Sequence, residues 1–267
     1  TPAGFAWTAS NQAWHPHPHA LYLSKHLHAV AAGQINRFMV FMPPQHGKST
    51  LIAEYFPAWY LGKFPDRRVI YASYEADFAA TWGRKARNVM EEHGQSIFGV
   101  RVSKDSSAAN RWDIAGRTGG MNTAGVDGPI TGKGAHLFII DDPVKNADQA
   151  DSLTYQEKTM DWYRSVARTR LRHGAAIILV MTRWNEQDLA GRLLAAQQEG
   201  GEQWTVLRLP ALAEENDPLG RNVGDPLCPA LFTRDDLLAT RSAVGSYWWQ
   251  AMYQQEPTSR QGGLINR

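Results

Sequence analysis

The sequence predicts an α/β fold with a mainly parallel central sheet flanked by helices, and three observations carry that prediction. First, Phe38, Met39, Val40, Phe41 and Met42 are apolar at consecutive positions, as a strand buried on both faces requires. Second, this run passes through a tight turn into Gly47–Lys48–Ser49–Thr50, after which Leu51, Ile52, Tyr55, Phe56 and Trp59 recur at helical spacing. Third, residues 137–140 and 175–181 form two further apolar runs, each ending in polar residues. Strand, lysine turn and helix together have the wiring of a phosphate-binding P-loop.

The first amides of a helix lack internal partners and carry the positive end of its dipole, so a polyphosphate satisfies both. Gln45, His46, Gly47, Lys48, Ser49 and Thr50 are therefore the candidate nucleotide-binding residues. Lys48 suits the β/γ-phosphates and the Ser49 hydroxyl suits a Mg²⁺ ion. The pattern departs from the common form at its first glycine, where Met42 stands, and Pro43 and Pro44 have fixed φ and no N–H. The cradle then has to come from the amides of residues 45–50, on a loop stiff at its entrance. Lysine-bearing turns before helices are also ordinary structural turns, so this motif does not decide alone.

Leu137, Phe138, Ile139 and Ile140 lead into Asp141–Asp142–Pro143, reading as a buried strand that delivers two carboxylates to its C-terminal edge, where α/β sheets bind ligands. Asp141 is the candidate metal-shell residue and Asp142 the candidate base for an attacking water. Asp-Asp-Pro is also a good turn, the plainer reading of the same residues. The run at 175–181 ends in Thr182–Arg183–Trp184–Asn185. If its strand lies between the other two, Thr182 sits near the γ-phosphate and Arg183 can relay hydrolysis to a moving segment; otherwise they are strand-end polarity.

Together these phrases resemble the large terminase subunit of tailed bacteriophages, the packaging ATPase. The likeness covers nearly the whole chain. It rests on Met42–Pro43–Pro44–Gln45–His46–Gly47–Lys48–Ser49, Phe56–Pro57–Ala58–Trp59–Tyr60–Leu61–Gly62, Ile130–Thr131–Gly132–Lys133–Gly134–Ala135–His136, residues 182–193 from Thr182 to Leu193, and residues 249–257 from Trp249 to Pro257. The resemblance implies a RecA-like P-loop NTPase of the ASCE class, with an extra strand between the P-loop and acidic strands. It implies ATP and Mg²⁺ as cofactors, and a homo-oligomeric ring, monomeric in isolation, that pumps double-stranded DNA into a procapsid. The implied partners are the portal protein and the small terminase subunit, and the implied setting is the host cytoplasm. The family's second domain is a metal-dependent nuclease; the chain begins at Thr1 and stops at Arg267, about where that domain would begin, so an excised ATPase domain without nuclease activity is expected.

Many members of that family carry an arginine three residues before the P-loop glycine, where this chain has Pro44. The resemblance then requires the stabilising cation to come from elsewhere, with Lys133 as a catalytic candidate and Arg164, Arg168, Arg170 and Arg172 as others acting from a neighbouring subunit. Two basic clusters are also candidates for DNA contact: Arg101, Lys104 and Arg111, and the stretch from Arg164 to His173 near the end of a helix that begins around Asp151. Either is equally a solvated face.

At 267 residues one sizeable α/β domain with a small appended unit is natural, and the net charge of +2 does not by itself argue for nucleic acid. No apolar run has the length of a membrane span, which argues against a membrane partner. One cysteine, Cys228, leaves no internal disulfide and fits a reducing compartment.

Along the chain, residues 1–36 form an entry segment with a helix from His19 to Ala32, expected to pack near an adenine pocket. The alternating prolines of His15–Pro16–His17–Pro18–His19 keep three imidazoles from converging on one ion. Residues 37–210 are expected to form the ATPase core and 211–267 a lid or linker. Within the core the reading gives a strand at Arg68–Ser73, a helix from about Glu75 to Glu92, a hairpin or mobile loop at 103–125, and a last strand near 204–209. Gly125, Gly128, Gly132 and Gly134 offer backbone freedom beside the nucleotide. Short helices are expected near 234–241 and 246–254, with Trp248, Trp249 and Tyr253 packing a core rather than stacking on bases. The functional reading is a DNA-translocating ATPase; the alternatives are another nucleic-acid-remodelling ATPase of helicase type, or a weakly hydrolysing, nucleotide-gated assembly module.

Overall fold

A computed structural model describes residues 1–128, 130 and 134–258. Eight strands form one sheet: β1 (Arg37–Phe41), β2 (Arg68–Ser73), β3 (Val102–Ala108), β4 (Arg111–Ile114), β5 (Gly120–Gly125), β6 (Ala135–Asp141), β7 (Leu171–Met181) and β8 (Thr205–Arg208). Their spatial order is β3-β4-β5-β2-β6-β7-β1-β8. From β5 to β8 every pairing is parallel, while β4 runs antiparallel to both β3 and β5. β7 therefore lies between the P-loop strand and the acidic strand, meeting the condition on which Thr182 was placed, and the fold is RecA-like.

The continuous apolar runs arise because both faces of the sheet are covered. Phe38 and Val40 of β1, Val69 and Tyr71 of β2, and Leu137 and Ile139 of β6 face one core. Their neighbours Met39, Phe41, Ile70, Ala72, Phe138 and Ile140 face the other. The first core is closed by α1 (Pro2–Ala9), α2 (Pro18–Ala31), α3 (Phe56–Lys63) and α4 (Ala76–Phe98). The second is closed by α6 (Leu153–Trp162) and α7 (Leu189–Gln198), with the short α5 (Ala147–Asp151) preceding α6. A large apolar side chain at these positions contributes about 2–5 kcal/mol against alanine.

Several boundaries differ from the sequence reading. The P-loop helix enters α3 through a π-helical stretch, Thr50–Tyr55, where the Phe56 N–H reaches back to the Leu51 carbonyl. Pro57 explains it: proline has no N–H to give and its ring clashes with the carbonyl four residues back, which a widened turn relieves. α4 runs on to Phe98, past the expected end near Glu92, and stops at Gly99 in the left-handed region. The 103–125 stretch is ordered as β3, β4 and β5. β7 begins at Leu171, so Arg172 and His173 lie on a strand, and α6 with its following helical turns ends at Arg170.

After β8 the chain builds a small unit around Ala211, Leu237 and Trp249, with Phe232, Val244 and Tyr253 packed on it. Here α8 (Arg234–Trp248) bends at Gly245, whose φ of 78° and ψ of 167° are not helical, giving the two helical pieces expected. Trp249 stacks on Tyr253 inside this core. Among the described residues no helix is long and apolar enough to cross a membrane.

Candidate nucleotide site

Three adjacent strands, β6, β7 and β1, end together at one edge of the sheet. Asp141 is paired with Val180, and Phe41 with Met181. That register brings the chain reversals after each strand into contact. Beyond β1, Gln45 and Gly47 take positive φ of 61° and 78°. Left-handed residues turn successive amides toward a common point, the geometry of an anion-binding nest.

Lys48, buried, donates from Nζ to Thr182 Oγ1 at 2.7 Å and lies 3.9 Å from Asp142 Oδ2. Asp142 Oδ1 in turn accepts the Thr182 N–H at 2.8 Å. Asp142 itself holds φ of 43°, an unusual conformation for a residue with a side chain, and its N–H bonds the Val180 carbonyl at 2.9 Å. Backbone strain of this kind costs about 1–3 kcal/mol and persists where neighbours enforce it. The result is that the Asp142 carboxylate leaves the strand sideways and faces Lys48 and Thr182.

Asp141, the residue before Asp142, is buried. Tyr71 Oη donates to its Oδ2 at 2.9 Å, the Ser49 hydroxyl lies beside it, and Oδ1 is buried with no partner among the described residues. Burial, then the Asp142 carboxylate beside it, push its pKa up to about 7, against the pull of Lys48, Tyr71 and Ser49. The same burial and the two carboxylates raise the Tyr71 hydroxyl well above its ordinary range.

A family model described as terminase large subunit, T4likevirus-type, N-terminal, matches residues 39–265. The chain belongs to the terminase large subunit family. Among solved structures this terminase chain is similar to the large terminase of bacteriophage HK97, at 14% identity and a TM-score of 0.54, over 86% of this chain and 48% of that one. It is similar to the ATPase domain of the Thermus phage P74-26 large terminase, at 13% identity and a TM-score of 0.52, over 87% of this chain and 92% of that one. A third likeness is to the large terminase of another thermophilic bacteriophage, at 10% identity and a TM-score of 0.50, over 86% of this chain and 52% of that one. At these identities the likeness is one of fold. The chain spans about half the length of the first and third of these proteins. Comparison with curated proteins gives no match.

The terminase fold brings Lys48, Ser49, Asp141, Asp142 and Thr182 to one point. Arg183 is adjacent but turned away: its Nε donates to Asp188 Oδ2 at 2.7 Å, its guanidinium lies 4.8 Å from the Phe41 ring centroid, and its N–H reaches Gln255 Oε1. His46 is buried, with Nδ1 2.8 Å from the Pro44 carbonyl and its ring against Phe232 of the C-terminal unit. Lys133, together with Thr131 and Gly132, lies outside the described residues.

The basic candidates do not join the site. Arg101 is exposed and bonded to Gln95, Arg164 lies 4.0 Å from Asp161, and Arg168 is paired with Glu202 at 2.8 Å. Lys104 is exposed on β3, and Arg111 on β4 reaches Asp113 at 4.0 Å. Arg170 ends the helical turn before β7 and Arg172 is second in β7, ten residues before Thr182, which is about 33 Å along an extended strand.

Three residues of the terminase site escaped sequence reasoning. Tyr71 was legible only as an odd hydroxyl in an otherwise apolar buried strand. Asp188 reads as a helix N-cap, which it is, accepting the Gly191 N–H at 2.9 Å, but its hold on Arg183 needs the fold. His19 comes from α2: its Nε2 lies 3.0 Å from the His46 carbonyl, so it braces the P-loop from the entry segment, while its ring stacks on His17, which in turn meets His15.

Proposed function

We propose that this chain is the ATP-hydrolysing motor domain of a viral DNA-packaging terminase, coupling Mg-ATP hydrolysis to movement of double-stranded DNA into a procapsid. The observation that supports this best is the convergence of Lys48, Thr182 and Asp142 from three neighbouring strand ends, within a chain of the terminase family.

The residues present fit Mg²⁺. Asp141 Oδ1 is buried and unpartnered among the described residues, its ionised form is disfavoured there, and the Ser49 hydroxyl is beside it. Ser49 and Asp141 would hold the ion, which supplies charge neutralisation at the phosphate oxygens when bound. The amides of residues 45–50 would take the phosphates, and Lys48 would set its ammonium on the β/γ end. Asp142, fixed by the Thr182 amide, is oriented to accept a proton from the attacking water. Thr182, bonded to Lys48, is placed to respond to the γ-phosphate, and Arg183 next in sequence passes that response to Asp188 and Gln255. The entry segment, through His19, braces the same loop and is assigned the adenine side of the site.

Pro44 leaves the loop without a cation of its own at that position, so the site is completed by another subunit in a ring, at which the portal protein and small terminase subunit would assemble in the host cytoplasm. Arginine fingers contribute about 10³–10⁵ in rate in related chemistry. Pro44 also favours one second reading, a nucleotide-gated assembly module with little turnover. ATP hydrolysis by the chain, with and without duplex DNA, tests the two. The motor reading expects turnover that duplex DNA raises and that Lys48→Ala lowers by about 10² or more; turnover indifferent to DNA would favour the assembly module, and turnover indifferent to Lys48→Ala would overturn both.

A further inference from the structure

The edge of the sheet opposite the P-loop carries charge that the hydrolytic site does not use. The parallel strands β2, β6 and β7 begin there, with Arg68 first in β2, His136 second in β6 and Arg172 second in β7. The Arg68 N–H donates to His136 Nδ1 at 2.9 Å, and Ala135 is in register with Leu171, so these three positions are neighbours. From β4, Asp113 takes Arg68 at 2.6 Å and Arg111 at 4.0 Å. Arg172 runs across Gly134, where an added Cβ would stand 2.9 Å from its Cγ and 3.1 Å from its Nε. Arg170 Nε is buried with no partner among the described residues. The two basic clusters of the sequence, one around Arg111 and one around Arg172, are thus joined through Arg68 and His136 into one strip.

Electrostatics agree with the geometry. Burial and the charges of Arg172, Arg67 and Arg68 lower the His136 pKa, and burial with Arg111 and Arg172 lowers that of Arg68 against the pull of Asp113. Arg111 and Arg172 are exposed. Arg168 drops out, since Glu202 takes it at 2.8 Å, and Arg164 lies on the helical turn 163–167 and not on the strand edge. Four strand spacings separate β4 from β7, a width of about 19 Å. Positive charge spread over that width suits a repeating polyanion better than a single triphosphate, which one or two arginines would engage.

We propose that this strip, centred on Arg111 and Arg172, is a contact surface for the phosphate backbone of duplex DNA. The proposal rests on the motor reading and names where its DNA bears on the domain. β7 then has DNA contact at one end, Arg172, and Thr182 at the other, so a single strand links the track to the hydrolytic site.

Binding of a fluorescent mixed-sequence duplex to the chain, measured from about 50 to 200 mM salt, tests it, because each phosphate contact contributes about 0.9 to the slope of log K against log salt. Arg172→Ala should lower the slope by about one and Arg111→Ala with Arg172→Ala by about two. Arg172→Lys should restore the slope, which separates lost charge from a damaged fold. Unchanged slopes in both alanine variants, with the unaltered chain binding DNA, would overturn this surface and leave the motor reading standing. Failure of the unaltered chain to bind duplex at any salt would overturn both.

Discussion

His19 shows how much one side chain can set at this site. Its Nε2–H is the donor to the His46 carbonyl, and its Nδ1 is buried with no partner among the described residues. Burial is the chief cause that lowers its pKa to about 4. A lowered histidine pKa means that the unfolded chain binds the extra proton between about pH 6.5 and 4, so stability from this group is present above 6.5 and lost as pH falls. From pH 7 to 5 the loss is about 2 kcal/mol. Denaturant midpoints at those two pH values should therefore differ more for the unaltered chain than for His19→Asn, and equal differences would contradict the account. Proline spacing in the sequence turns the His15–His19 run away from metal binding, but which carbonyl His19 would meet depends on α2 crossing the P-loop. Tyr71 is similar: a hydroxyl in a buried strand announces a partner without naming Asp141.

Elements decide what Arg183 does. The Asp188 carboxylate caps α7 through the Gly191 N–H and holds the Arg183 guanidinium with its other oxygen, and both side chains are buried. Asp188→Ala would remove the cap and strand a buried charge, costing about 3–5 kcal/mol of stability by chemical denaturation. A loss under 1 kcal/mol would show that the clamp carries little. Gly191 is required by close approach, since a Cβ there would strike the Glu186 carbonyl; Gly191→Ala should cost about 1–3 kcal/mol, checked the same way. At this scale the strands were legible because burial on both faces leaves unbroken apolar runs. The end of α4 and the start of β7 were not, because polar residues such as Arg172 and His173 continue an element once its neighbour supplies hydrogen bonds, which no local pattern records.

Across the whole molecule, the two cores fix the sheet while the C-terminal unit touches both sides of the nucleotide site, through Phe232 on His46 and Gln255 on the Arg183 amide. Tyr247 and Trp248 add contacts to the Trp184 carbonyl and ring. The strand order that puts β7 between β6 and β1 was legible only as a condition, since apolar runs do not state their neighbours; the family phrases supplied the expectation. The RecA-like fold was readable from those phrases, whereas the strip of arginines across the far edge was not, because Arg111 and Arg172 meet only through strand pairing. If Pro44 forces completion of the site between subunits, turnover per chain should rise with protein concentration across a dilution series, and constant turnover would contradict it.

The central claim is that Asp142, aimed by the Thr182 amide and not by its own strand, performs the proton transfer while Lys48, Ser49 and Asp141 hold the nucleotide. Asp142→Asn separates those roles in one comparison of hydrolysis rate with nucleotide affinity. The account predicts ATP binding within a few-fold of the unaltered chain and hydrolysis reduced by about 10²–10⁴; hydrolysis retained at the original rate would contradict it.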